Sequence, residues 1–142
     1  MKTDDTDPPL AGWLPGQVAR IAALAGVEQG ELSLVVVDDA RMSALHEQYL
    51  GEPATTDVLS FDLREHPDEP LEGDLVLCLD EAARQSAERG HAVGLEVLLY
   101  AVHGLLHLLG EDDHDPDSAR KMHRREDALL TRAGFGPVFG SL

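Results

Sequence analysis

At 142 residues and 43% hydrophobic content, the chain is the size of one domain that buries a core without staples. Its formal net charge of −16 repels nucleic acid over most of the surface, so DNA binding is not expected and any RNA contact has to be local. A lone cysteine, Cys78, excludes an intrachain disulfide, and the polar, acidic start from Met1 to Pro9 lacks a signal-peptide pattern, so the expected protein is soluble, cytoplasmic and off the membrane.

Residues 1–12 read as a flexible tail. From Leu14-Pro15 a helix is predicted to Ala25, with Val18, Ile21, Ala22 and Leu24 on its apolar side and Gly26 as its stop. Glu31 to Val37 is β-branched enough for a strand. Asp38 or Asp39 caps a second helix to about Tyr49, with Met42, Leu45 and Tyr49 on one face, and Gly51-Glu52-Pro53 breaks it. A second strand is predicted over Thr56 to Leu63, then a charged loop from Arg64 to Glu72. Gly73-Asp74 opens the third strand, Leu75 to Leu79, inside which Cys78 reads as a buried, inert thiol. Asp80 caps a helix through Arg89, and Gly90 ends it.

The next helix, about Gly94 to Leu109, is apolar almost all round and so belongs in the middle of the domain. After Gly110 to Pro116, Asp117 or Ser118 caps a last helix to about Arg132. The whole, residues 1–142, is an α+β single domain: a mixed sheet of about three to four strands packed with about five helices.

The central helix carries His103-Gly104-Leu105-Leu106-His107. Imidazoles four residues apart share a helix face about 6 Å apart at Cβ, close enough for both to reach one zinc ion. Gly110 turns the chain so that Glu111-Asp112-Asp113-His114 returns to that face, offering His114 or Asp113 as third ligand. Three ligands and one open place describe a catalytic zinc. The bland alternative, two hydrogen-bonded core histidines, needs a separate partner for each buried ring.

These residues resemble a known family, the YbeY-type bacterial endoribonucleases that mature ribosomal RNA. Its hallmark His-Gly-x-Leu-His-Leu-x-Gly-x-Asp-His is close to His103-Gly104-Leu105-Leu106-His107-Leu108-Leu109-Gly110-Glu111-Asp112-Asp113-His114. Thr56-Asp57-Val58-Leu59-Ser60-Phe61 matches a second signature, and Gly73-Asp74-Leu75-Val76 a third. The likeness spans roughly residues 30–135.

The chain departs from the family in four places. Its tenth residue after His103 is Asp113 where the family has its third histidine, so either Asp113 binds or a one-residue bulge lets His114 do so; His114 is preferred. Leu50 stands where the family commonly has Arg, leaving Arg64, Arg120 and Arg124 as substitute cations. Asp62 replaces a Pro, and the family's first strand is not evident.

The resemblance implies a Zn2+-dependent endoribonuclease acting on single-stranded ribosomal RNA; His103, His107 and Asp57 are the expected catalytic residues, with capping or turn bonding at the strand start as the alternative role of Asp57. Gly104 occupies the place where His-Glu-x-x-His peptidases keep their general base, so Asp57, Glu111 or Asp112 has to serve, or to orient an imidazole. Ser60 reads as a plain strand residue before a phosphate contact, and His46, His66, His91 and His123 as surface or locally bonded groups. Few aromatics mean no evident base-stacking platform, hence weak binding of naked RNA and reliance on a partner such as the small ribosomal subunit. The rivals are a metzincin-like zinc peptidase, a non-catalytic ribosome-associated module with structural zinc, and a metal-free domain.

Overall fold

The computed structural model describes residues 8–52 and 54–138. Along the chain run α1 (Pro8–Leu24), β1 (Gly30–Val37), α2 (Asp39–Leu50), β2 (Val58–Asp62), β3 (Leu71–Cys78), α3 (Leu79–Arg89), α4 (Val93–Leu108) and α5 (Pro116–Arg132). The strands form one mixed sheet in the order β1-β3-β2, with β1 parallel and β2 antiparallel to β3. This is the α+β architecture that the sequence predicts.

The central strand explains the layering. Leu75 and Leu77 of β3 are fully buried on the side of α1 and α4, while Val76 and Cys78 pack on the other side with Met42 of α2 and Leu59 of β2. A strand covered on both faces needs a continuous apolar run rather than alternation. Helix α4 is the hub: Leu98, Leu105 and Leu106 are completely buried, and each such side chain contributes about 1.5–3 kcal/mol.

Several boundaries differ from expectation, each for a tertiary reason. Residues 8–12 belong to α1 rather than to a tail, because Leu10, Leu14, Val18 and Ile21 form one buried stripe that holds the helix together across Pro15. The rest of that predicted tail, residues 1–7, lies outside the described residues. β3 begins at Leu71, inside the predicted loop, since Leu71 to Asp74 pair with Gly30 to Ser33 of β1. Asp80 does not cap its own helix; its Oδ2 accepts the Asp39 N–H at 2.8 Å and ties α3 to α2. The cap of α5 is Asp115, whose Oδ1 accepts the Ser118 N–H at 2.8 Å, and Pro116 takes the first helical place that suits its fixed φ. Among the described residues no single helix is long and apolar enough to cross a membrane.

Candidate metal centre

Helix α4 brings His103 and His107 to its last turns with their side chains 17% and 29% exposed. Their Nε2 atoms face each other at 3.1 Å, with ring planes at 81°. Close packing sets the helix there. A Cβ on Gly104 would stand 2.8 Å from Leu75 Cδ2 and 3.1 Å from Val58 Cγ2, so only glycine lets the His-bearing turn lie this near the sheet.

Beyond α4, Gly110 takes φ 96°, its N–H bonds to the His107 carbonyl at 3.0 Å, and the Glu111 N–H to that of Leu106 at 3.0 Å. This turn returns the chain to the histidines. The residue it delivers is Asp113: Oδ2 lies 3.4 Å from His103 Nε2, and Oδ1 3.8 Å from His107 Nε2. Tetrahedral ligands bound at zinc distances stand about 3.3–3.4 Å from one another. The donor triangle of His103, His107 and Asp113 therefore fits a small divalent ion. His114 is exposed and is not among these donors; its N–H bonds to Asp112 Oδ1 at 3.3 Å.

Glu126 of α5 stands behind the pair, 1% exposed, with Oε1 2.7 Å from His103 Nδ1. A carboxylate there holds the proton on Nδ1 and leaves Nε2 a lone pair aimed at the donor triangle. Burial depresses the His103 imidazolium, but the Glu126 hydrogen bond and the charges of Glu126, Asp57 and Asp113 outweigh it, and the net direction is upward. Sequence reasoning missed Glu126. Its signal was an acid within a basic stretch, spaced with Met122, Leu129 and Leu130 on the buried face of the last helix.

The three donors open into a cleft of about 390 Å³ whose other wall is Leu50 and Thr56 to Ser60. Asp57 stands in that wall, and it serves locally as well: Oδ1 accepts the Val58 N–H at 2.7 Å, and its carbonyl the Cys78 N–H at 2.9 Å. Ser60 also lines the cleft.

The substitute cations fare differently. Arg64 is only 12% exposed; it grips Asp62 with Nε and Nη2 and donates from Nη2 to the Leu108 carbonyl at 2.7 Å. It thus ties the C-terminal end of α4 to the segment after β2. Arg120 pairs with Asp117 and Arg124 is exposed; Arg125, which was not one of these candidates, lies 3.7 Å from Glu111. Away from the cleft, His46 bonds to the Glu52 carbonyl and His91 to Glu96, while His66 sits with Glu65 and Glu69 on the exposed surface.

The family described as Endoribonuclease YbeY matches residues 13–134, a span that holds the whole of this cleft. The chain belongs to the YbeY family. It is 47% identical to the endoribonuclease YbeY of Anaeromyxobacter sp., covering 82% of this chain and 61% of that protein. For the same protein of Desulfitobacterium hafniense the identity is 39%, over 89% of this chain and 87% of the relative. For Moorella thermoacetica it is 37%, over 95% and 96%. The solution structure of TM1509 from Thermotoga maritima shares the fold, with a TM-score of 0.63 at 21% identity over 92% of this chain and 89% of that one.

Proposed function

We propose that this chain is a zinc-dependent endoribonuclease that cuts single-stranded RNA during ribosomal RNA maturation and ribosome quality control, holding its metal with His103, His107 and Asp113. The observation that carries the reading is the donor triangle, backed by Glu126 and opening on a cleft, in a member of the YbeY family. What supports Asp113 over His114 as third ligand is its carboxylate beside both Nε2 atoms.

Zinc at this site supplies a Lewis acid for a phosphoryl oxygen and lowers the pKa of bound water. The chain's own residues do the rest. Glu126 keeps the His103 proton on Nδ1, so that Nε2 binds as a neutral ligand. Arg64 holds the end of the helix that carries both histidines. Asp57, pinned to the opposite wall by the Val58 N–H, is the carboxylate that takes the proton of the attacking oxygen, a role closed to Gly104.

The acidic balance makes RNA binding by the isolated chain weak, and in the cytoplasm the small ribosomal subunit or its proteins present the substrate. Tight binding of naked RNA at physiological salt would overturn that dependence. For the activity, chelator-free protein is analysed for metal and offered labelled single-stranded RNA and casein side by side. One zinc per chain, with RNA cleavage lost to chelator and restored by zinc, is expected. Cutting of casein alone would make the chain a peptidase, and failure to take up any divalent ion would end the enzyme reading.

A further inference from the structure

The two edges of the sheet are unequal. β2, which helps to wall the cleft, is five residues long and ends in the charged Asp62. β1, the opposite edge, runs for eight residues, Gly30–Val37, in unbroken register with β3. Among the described residues its backbone bonds to β3 alone, so the outward amides and carbonyls along the strand have no partner. Edges are ordinarily blunted by proline, lysine, a bulge or a covering segment. Past Glu31, β1 reads Leu32-Ser33-Leu34-Val35-Val36-Val37, with no proline, no charge and no bulge. Leu32, Leu34 and Val36 are buried in the core, which fixes this open edge in place.

Space and charge at this edge say what fits it. A groove of about 560 Å³ is lined by residues 27–33 and by the small Ala19 and Ala22 of α1. A second, of about 380 Å³, shares Gly30 and Glu31 with it and adds Glu69 and Glu72. Glu28, Glu31, Glu69 and Glu72 thus line the two grooves, all four exposed, and no Lys or Arg lines either. A strand laid here meets negative charge and has to bring positive charge. Two near occupants do not: a second copy of the chain carries a net charge of −16, and residues 1–7 carry Asp4, Asp5 and Asp7 against Lys2 alone.

We propose that the outer edge of β1 takes up an extended, Lys- or Arg-bearing segment of a protein partner as a fourth strand. The segment's main chain supplies the hydrogen bonds, and its basic side chains meet the glutamates at the Gly30 end. Because β1 and β2 lie on opposite sides of β3, a partner seated on β1 leaves the cleft beside β2 open. The inference is independent of the metal site and goes beyond the ribonuclease reading.

The test titrates the full chain against fluorescent peptides of strand length. One alternates Lys and Val, a second is the same peptide methylated at every backbone nitrogen, and a third alternates Glu and Val. Only the first is expected to bind at physiological salt. Methylation removes the strand's hydrogen-bond donors but none of its charge, and should weaken binding about a hundredfold. Glu28→Lys combined with Glu31→Lys, both at exposed positions, should weaken it about tenfold. On binding, amide exchange is expected to slow along residues 31–37. Failure of the first peptide to bind, equal binding of its methylated or acidic counterpart, or protection elsewhere than β1 would overturn the proposal. So would a dimer of the chain alone in sedimentation with its β1 amides protected, which gives the edge to a second copy.

Discussion

Two buried glutamates beside α4 hold a histidine at nearly the same distance. Glu96, in its first turn, has Oε1 2.6 Å from His91 Nε2; Glu126, packed against its later turns, has Oε1 2.7 Å from His103 Nδ1. Neither acid is more than 1% exposed. They differ in what surrounds the pair. Glu96 also meets Arg89 Nη1 at 3.3 Å, so its charge is answered within the α3–α4 corner, and among the described residues His91 belongs to no group of metal donors. The second nitrogen of His103 faces His107 and Asp113. On the proposed metal-site reading, the same hydrogen bond is a structural lock in one place and a ligand-orienting device in the other. The environment of the imidazole's remaining nitrogen decides which.

Substitutions should separate the two roles. The largest effect is expected at the donor triangle: His107→Ala should take RNA cleavage to background and bound zinc to near zero, read by elemental analysis, with the far-ultraviolet spectrum kept. If the protein unfolds instead, the zinc is structural. Next comes Glu126→Gln, which keeps a hydrogen bond but removes the charge; zinc affinity in a competition titration should fall about 10–100-fold. Glu96→Ala should do the reverse, leaving zinc affinity alone while stability to urea drops by about 1.5–3 kcal/mol, because His91 and Arg89 lose the carboxylate between them. Equal changes in zinc affinity for both glutamates would dissolve the contrast.

Smaller effects sharpen it. Gly104→Ala overfills the contact with Leu75 and Val58 and should cost about 1–3 kcal/mol in a denaturant titration. The smallest effect belongs to the exposed Asp39–Arg84 pair. Hydrogen bonds from Arg84 hold the Asp39 carboxyl well below its ordinary 3.8. A depressed folded-state pKa stabilises at pH above the unfolded value, and the gain fades as pH falls below about 4. Thermal melts from pH 6 to 2 should therefore fall slightly less steeply in Asp39→Asn than in wild type.

Much of the fold was legible because its signals are local. The apolar girdle from Leu95 to Leu109 announced the central helix, and Asp38 caps α2 as read, its Oδ1 accepting the Arg41 N–H at 2.8 Å. The first turn of α1 and the start of β3 were illegible, since partners elsewhere stabilise them: Leu10 by the core, and Leu71 to Asp74 by strand pairing.

By itself the sequence determined the pair of imidazoles and the turn that follows them, because helical periodicity and a left-handed glycine act over a few residues. Only the tertiary structure brought Asp113 rather than His114 beside the pair, set Glu126 behind His103 across 23 residues, bound Arg64 to the Leu108 carbonyl across 44, and left Tyr49 in the open. Such contacts depend on how whole helices settle on the sheet, a balance of packing that no short stretch of chain contains.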